Sequence, residues 1–380
     1  MVTKDMLKIT EYEVLGKLPD PFLKANGARL KDPSEWAEHR KELYKTAVEL
    51  QYGTMPPAPE FVEAELIYND GSPRGYRIHT GTKENPVTFR MQVFLPEGVE
   101  GPVPVIVIGD QCWKYMTRDE YLNAALSRGV AWAFFDRTEL AHDVRHEGRR
   151  QGCLYKTYPN ETFGAIGAWA WGYSRVVDAL EQLDLPLDLN WIIFAGHSRG
   201  GKTAALAGAL DERARIVAPN ETNAGGHACY RIHMKGIYED NPEKPSETLA
   251  DLWRRFDFWM GPEMGDYADR EADLPFDTHF LKALVAPRTL IVSEAAGDLW
   301  GNPPGSYITT MAAREVYRFL GAEDHLYWYF RPGFHKHAPE DIERLINVLW
   351  HEKTGEPLLP GYETLPFEAP DLIFDWRAPK

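Results

Sequence analysis

Residues 191–210 read WIIFAGHSRGGKTAALAGAL, and this stretch is the part of the sequence that predicts the fold. Trp191–Ala195 is a short apolar run typical of a buried strand, and Lys202–Leu210 is an alanine-rich run typical of a helix. Between them, Gly196-His197-Ser198-Arg199-Gly200 matches the pattern G-x-S-x-G. In the order strand, turn, helix, this pattern indicates a nucleophilic serine at the edge of a sheet.

The spacing of the two glycines around Ser198 has a physical reason. In so tight a turn the serine must adopt a strained backbone conformation, and glycine two residues to either side avoids clashes with the neighbouring strand and helix. The start of the helix supplies free N–H groups and a positive dipole end, which stabilise a developing oxyanion. The alternative is an ordinary helix-capping serine in a glycine-rich turn.

Apolar runs recur along the chain on both sides of this motif. Val103–Ile108 and Gly129–Phe135 precede it, and the candidate strands Ile216–Ala218, Thr289–Ser293 and Tyr327–Phe330 follow it, with helical patterns between them. Strands that are apolar on both faces indicate a parallel sheet covered by helices. We therefore predict an α/β-hydrolase fold, which is a three-layer αβα sandwich with a mostly parallel central sheet.

A single domain over residues 1–380 is predicted, because the sequence shows neither an internal repeat nor a low-complexity linker. Within it, residues 1–60 are expected to form an N-terminal extension that wraps the core. Val62–Tyr68 and Val87–Leu95 alternate in polarity and are predicted to be antiparallel strands at one sheet edge. The charged, tryptophan-rich region 238–273 is predicted to be a helical insertion near the active site.

The composition narrows the classes of function. A net charge of −15 argues against a nucleic-acid partner, and no apolar run is long enough to span a membrane. The three cysteines, Cys112, Cys153 and Cys229, give neither a disulfide framework nor a zinc signature, and we expect no metal or cofactor. Met1–Thr10 does not have the pattern of a signal peptide, so we expect a cytoplasmic protein, or a secreted one whose leader has been removed. The oligomeric state stays open.

A serine nucleophile needs a histidine base and a carboxylate, and the sequence offers two candidates for each. His335 and His337 both follow the last predicted strand, where this fold carries its base. Glu221 follows the strand after the nucleophile, and Asp298 follows the next strand, which is the more usual place for the acid. The pattern alone leaves both choices open.

Four segments spread over most of the chain match motifs of one known family. Gly196–Lys202 is similar to a G-x-S-R-x-G-K signature, and Pro219–Gly226 is similar to a P-Q-E-S…G-G segment. Leu274–His279 resembles an L-P-F-D-x-H stretch, and Gly333–His337 resembles a segment that carries a catalytic histidine. With these motifs the chain resembles the glucuronoyl esterases, which are carbohydrate esterase family 15.

The resemblance implies roles for the catalytic candidates. Ser198 would be the nucleophile, and Glu221 the acid as in fungal members, with Asp298 as the alternate used in some bacterial members. His337 would be the base, because it directly precedes the position where fungal enzymes carry a cysteine. The generic G-x-H pattern favours His335 instead.

The resemblance also implies how the substrate would be bound. Arg199 would help to form the oxyanion hole, Lys202 would bind hydroxyls of the uronic acid, and Trp300 would lie against the sugar. His197 and Ala338 stand where fungal members carry a pair of bonded cysteines, so the chain resembles the bacterial branch of the family.

The activity implied by the resemblance is that of a serine carboxylic-ester hydrolase. Its most specific form is a 4-O-methyl-glucuronoyl methylesterase that cleaves lignin–carbohydrate esters through an acyl-enzyme. The partner would then be a small-molecule or glucuronoxylan-type ester. The alternatives are an acetyl xylan or other carbohydrate esterase, or a dienelactone-type hydrolase, on the same triad. A protein of this fold that only binds its ligand would lack the serine, the histidine or the carboxylate, and the sequence offers candidates for all three.

Overall fold

The structure, a computed structural model, describes residues 12–69, 71–145, 147–238 and 240–380. Met1–Thr10, which bears on the question of a leader, lies outside the described residues. The strands in chain order are β1 (Tyr12–Val14), β2 (Phe61–Asn69), β3 (Arg74–Gly81), β4 (Pro86–Phe94), β5 (Val103–Ile108), β6 (Ala131–Phe135), β7 (Leu187–His197), β8 (Ala214–Asn220), β9 (Ile232–Met234), β10 (Thr289–Ala295) and β11 (Leu326–Arg331). The α-helices are α1 (Trp36–Leu43), α2 (Leu50–Tyr52), α3 (Asp119–Leu126), α4 (Leu154–Thr157), α5 (Ala165–Leu180), α6 (Arg199–Leu210), α7 (Leu249–Phe256), α8 (His279–Ala283), α9 (Pro303–Phe319) and α10 (Pro339–Thr354).

The central sheet confirms the predicted α/β-hydrolase architecture. In the described residues it has nine strands in the order β11-β10-β8-β7-β5-β6-β4-β3-β2. The strands from β11 to β6 are parallel, and β4, β3 and β2 continue the sheet as an antiparallel edge. Sequence analysis anticipated β2 and β4 at this edge but did not single out β3 between them. A separate small sheet pairs β1 with β9.

The two faces of the sheet bury alternate residues of each strand. In β5, Val105 and Val107 belong to a core formed with α5, α6, α8 and α9. Ile106 and Ile108 belong to a second core formed with α3 and α10. Every residue of β5 is buried, which is why the strand is apolar throughout. Helices therefore cover both faces, and the result is the predicted three-layer sandwich.

The N-terminal residues and the region 238–273 contact the sheet domain in different ways. In the N-terminal residues, Arg40 Nε donates to the Leu284 carbonyl at 3.1 Å, and the Tyr52 hydroxyl donates to the Gly225 carbonyl at 2.9 Å. In the region 238–273, α7 is followed by short 3₁₀ turns, and Trp259 there is buried against the core. The division into one domain with these two additions stays a prediction.

The described helices do not have the features of a membrane-spanning helix. Within the described ranges, none combines the length and the apolar character that crossing a bilayer requires.

Candidate active site

Ser198 stands at the junction of β7 and α6 in a strained conformation. Its φ of 56° and ψ of −121° lie in a region that residues other than glycine rarely adopt. A Cβ atom on Gly196 would clash with the Gly200 carbonyl, and one on Gly200 would clash with the Asp110 carboxylate. The G-x-S-x-G spacing therefore has a steric cause at both glycines. The strain presents the serine hydroxyl above the carboxyl edge of the sheet.

A buried ion pair lies directly below this turn. Asp110 follows β5, and its carboxylate accepts the His197 backbone N–H at 2.9 Å and pairs with Arg137. Arg137 is completely buried, and its guanidinium lies 4.8 Å from the Trp113 ring and 5.1 Å from the Trp169 ring. This pair was not predicted from the sequence. The only signal was a carboxylate at the end of an apolar strand.

His335 is the histidine that the structure brings to both candidate acids. Its Nδ1 lies 2.8 Å from Asp298 Oδ2 and 3.2 Å from Glu221 Oε2. Burial alone would lower the pKa of His335, but the hydrogen bonds to Asp298 and Glu221, together with their charges, raise it to about 9. Both carboxylates use one ring nitrogen, which leaves Nε2 free of them. Ser198 and His335 line the same cleft.

His337 lies in an aromatic layer, away from the carboxylates. Its ring is stacked on His197 at 5.1 Å and meets the Tyr115 ring edge-to-face at 6.2 Å. Its buried Nδ1 has no hydrogen-bond partner among the described residues, and burial lowers its pKa to about 3. The contacts therefore favour the alternate His335 over His337, because, of the two histidines, only His335 reaches Asp298 and Glu221; which of them is the base stays a prediction.

Arg331, the last residue of β11, fixes both Glu221 and the loop that carries His335. Its guanidinium binds Glu221 Oε1 and the Lys336 carbonyl, and its Nε donates to Asp341 Oδ1 at 3.0 Å. The Lys336 backbone N–H in turn donates to Glu221 Oε2 at 2.9 Å. Burial raises the pKa of Glu221, and the contacts with His335 and Arg331 oppose that rise. The network holds the carboxylate and the histidine loop as one unit.

Glu221, Asp298 and His335 also form a group close enough to hold a metal ion. Their ligand atoms all lie within 4.8 Å of one another. However, the Arg331 guanidinium already pairs with Glu221, and a second cation beside it would be repelled. The contacts fit a hydrogen-bonded acid–base pair better than a metal centre.

Arg199, expected in the oxyanion hole, follows Ser198 at the first turn of α6. Its Nη1 donates to Asp143 Oδ2 at 3.0 Å, and its guanidinium lies 4.7 Å from the Trp259 ring. Trp259 Nε1 donates to the other oxygen of Asp143 at 3.1 Å. The side chain is thus held over the tryptophan by a shared carboxylate, beside the nucleophile.

Of the two residues expected to bind the sugar, Lys202 lies in the first turn of α6, and Trp300 lies in the turn that follows β10. Lys202 is buried, and its ammonium donates to the Thr222 carbonyl. Burial lowers the pKa of Lys202, and the negative charge of Glu247 opposes this decrease. Trp300 is half-buried, and its carbonyl accepts the Glu247 backbone N–H at 2.9 Å. Glu247 was not predicted from the sequence as a site residue. Neither was Asn223, whose buried Oδ1 has no hydrogen-bond partner among the described residues.

A strained serine on a strand-to-helix turn is the mark of the nucleophile in one class of enzymes. Together with a histidine held by carboxylates beyond the last strand, it makes this chain a serine hydrolase of the α/β-hydrolase class. Within that class the chain belongs to the glucuronyl esterase family, because residues 78–321 match the model described as glucuronyl esterase of fungi. It is accordingly a serine carboxylic-ester hydrolase. Its likeness to the bacterial branch stays a prediction.

Individual relatives agree with this assignment. A 4-O-methyl-glucuronoyl methylesterase from Cerrena unicolor is 30% identical over 337 residues, which cover 87% of this chain and 68% of the relative. The glucuronoyl esterase catalytic domain from Hypocrea jecorina superposes with a TM-score of 0.79 at 26% identity, covering 97% of this chain and 98% of that one. A serine-to-alanine variant of the glucuronoyl esterase from Sporotrichum thermophile, in complex with methyl 4-O-methyl-β-D-glucopyranuronate, gives 0.75 at 25% identity, covering 92% of each chain.

The Arg331 network predicts a large effect of replacing that arginine. In Arg331→Gln, Glu221 keeps its buried charge without the guanidinium, so we expect a loss of about 3–5 kcal/mol in the free energy of unfolding. Esterase activity should fall on the order of 100-fold, because the His335 loop loses its anchor. Urea unfolding followed by tryptophan fluorescence, together with an ester assay, measures both effects.

Arg128→Gln is the matched control for this change. Arg128 pairs with Glu356 at 2.7 Å on the surface, where both side chains are well exposed, so its loss should cost at most about 1 kcal/mol. Equal stability and activity of the two variants would contradict the role given to Arg331.

Proposed function

We propose that the protein hydrolyses esters of 4-O-methyl-glucuronic acid through an acyl-enzyme on Ser198. The observation that carries the proposal is the strained Ser198 beside a carboxylate-bound His335, in a chain of the glucuronyl esterase family. The ligand held by the Sporotrichum thermophile relative, a methyl ester of that sugar acid, supports the choice of substrate. Glucuronoxylan carrying such esters is the natural polymer we propose.

The first half of the reaction would form the acyl-enzyme. The Ser198 hydroxyl attacks the ester carbonyl while His335 takes its proton as general base. The backbone N–H of Arg199, with the guanidinium beside it, would stabilise the oxyanion. His335 then gives the proton to the departing alcohol. In the second half, water attacks the acyl group by the same route and the uronate leaves.

Glu221 and Asp298 would share the role of the acid. Both lie within hydrogen-bond or ion-pair distance of His335 Nδ1, and each favours the charged imidazolium that forms during the attack. Asp298 makes the shorter contact, whereas Glu221 is fully buried and tied to Arg331. Glu221 thus orients the loop and the ring together, and Asp298 adds a second negative charge.

The sugar would lie on the α6 side of Ser198. There Lys202, Glu247 and the half-buried ring of Trp300 are neighbours, which offers a donor, an acceptor and an apolar face to a uronic acid ring. Rings of Tyr238 and Trp300 also lie 6.4 Å apart at this edge. We propose that these residues bind the hydroxyls and one face of the sugar.

The substrate proposal predicts which ester the enzyme turns over. We expect the wild type to hydrolyse benzyl glucuronate, and Ser198→Ala to lose about 10⁴-fold or more in kcat, because the acyl-enzyme can no longer form. A spectrophotometric release assay, run beside 4-nitrophenyl acetate, measures this. Ser127→Ala, at the end of α3, is the control and should keep its activity.

Two results would count against the proposal in different ways. Turnover of the acetate alone would keep the serine hydrolase and remove the glucuronate substrate. Equal turnover of benzyl glucuronate by wild type and Ser198→Ala would contradict the nucleophile itself.

The raised pKa of His335 predicts the pH dependence of the reaction. The neutral imidazole is the active base, so activity is lost below its pKa, and kcat/KM should rise with pH up to about 9. Asp298→Asn removes one of the charges that raise this pKa, so the rise should move to lower pH although the maximal rate falls.

Steady-state kinetics between pH 5 and 10, with Asp273→Asn as a surface control, would measure this shift. Asp273 pairs with Arg270 where both side chains are exposed, so its replacement should leave the profile unchanged. A wild-type rise centred near the ordinary histidine pKa, unmoved in Asp298→Asn, would contradict the account.

A further inference from the structure

An open cleft of about 770 Å³ beside Ser198 has charges of one sign. Among the residues that the structure describes, its lining includes no aspartate or glutamate. It includes four cationic side chains, which are Lys114, Arg118, Arg199 and Lys336. The chain as a whole has 57 acidic against 42 basic residues, so this lining departs from the rest of the protein. A cationic cleft in an acidic protein concentrates anionic ligands.

Most of this positive charge is not neutralised locally. Arg199 is paired with Asp143 at 3.0 Å, and Arg118 lies 4.0 Å from Glu120, at the limit of an ion pair. Lys114 and Lys336 are exposed, and within the parts of the chain that the structure describes neither has a carboxylate within ion-pair distance. The cleft therefore presents two free ammonium groups and a weakly paired guanidinium.

Aromatic rings form the wall between these cations. The half-buried rings of Trp113 and Tyr115 are stacked, with centroids 6.0 Å apart and an interplanar angle of 22°. Tyr121 lies 5.1 Å from Tyr115 and extends the wall. The buried Arg137 guanidinium supports Trp113 from behind at 4.8 Å. Such a wall is suited to a flat aromatic ligand.

The residues that line the cleft favour the alcohol half of the ester as its occupant. His335, which gives its proton to the alcohol oxygen, lines this cleft together with Ser198. Lys202 and Trp300, proposed to bind the sugar, are not among the residues that line it. An ester held across the serine would place its acyl half on one side and its alcohol half on the other.

We propose that this cleft binds the alcohol half of the ester and selects aromatic alcohols that carry a carboxylate, through Lys114 and Arg118. The inference rests on the proposed function for the position of the sugar. It adds a preference for a negatively charged alcohol half, which the uncharged ester bond itself does not require. The ring of the alcohol would lie against Trp113 and Tyr115.

Two esters of glucuronic acid that differ only in this charge test the inference. One carries benzyl alcohol and the other carries 4-(hydroxymethyl)benzoic acid through its hydroxymethyl oxygen. We expect KM for the charged ester to be about five- to tenfold lower at low salt, as one or two partly exposed ion pairs would give. The advantage should shrink at 0.5 M NaCl, because salt screens exposed charges.

The double variant Lys114→Gln/Arg118→Gln should abolish the advantage of the charged ester while leaving kcat/KM for the benzyl ester within about threefold. Lys83→Gln, an exposed lysine in the turn between β3 and β4, is the matched control and should keep the advantage. Equal KM values for the two esters in the wild type, or an advantage that survives in the double variant, would overturn the inference.

A binding measurement separates this inference from the proposed function. In Ser198→Ala, 4-(hydroxymethyl)benzoate should bind more tightly than benzyl alcohol by tryptophan fluorescence, and adding the double substitution should remove the difference. That result would support the cleft even if no glucuronate ester were turned over. Equal binding of the two alcohols would overturn it even if the glucuronate esters were good substrates.

Discussion

The buried ion pair between Arg331 and Glu221 connects the strands that carry the reactive groups. Glu221 follows β8 and Arg331 ends β11, and β10 lies between these strands in the sheet. The same guanidinium binds carbonyls of the loop that carries His335, so the position of this proposed base depends on the pair. Neither charge can be removed alone at low cost, because the other would stay buried without a partner.

A second buried ion pair, between Asp110 and Arg137, supports the turn that carries Ser198, as the first supports the loop that carries His335. Asp110 binds the backbone N–H of His197, directly before Ser198, and so fixes the strained turn from below. Arg137 is held between the Trp113 and Trp169 rings, and Trp113 also forms the wall of the cleft. The turn at Ser198, the His335 loop and the Trp113 ring thus each contact a buried ion pair.

The features that could be predicted from the sequence are those that depend on residues close together in the chain. The apolar runs and the G-x-S-x-G turn around Ser198 are patterns of neighbouring residues. They therefore predicted the parallel sheet and the position of the proposed nucleophile. Glu221 and Asp298 were both singled out because each follows a predicted strand after the nucleophile, and the structure joins them through His335. The generic G-x-H pattern favoured His335 and the family resemblance favoured His337. The sequence could not decide between them, because Arg331 orients that loop together with Glu221, 110 residues away in the chain.

The central claim is that His335, and not His337, is the base for Ser198. The most direct test compares kcat of His335→Gln and His337→Gln on benzyl glucuronate, with folding verified by circular dichroism. The account predicts a loss of at least about 10³-fold for His335→Gln, because the proton of Ser198 then has no acceptor, and a loss within about tenfold for His337→Gln. A folded His335→Gln variant that stays active, beside an inactive and folded His337→Gln variant, would contradict it.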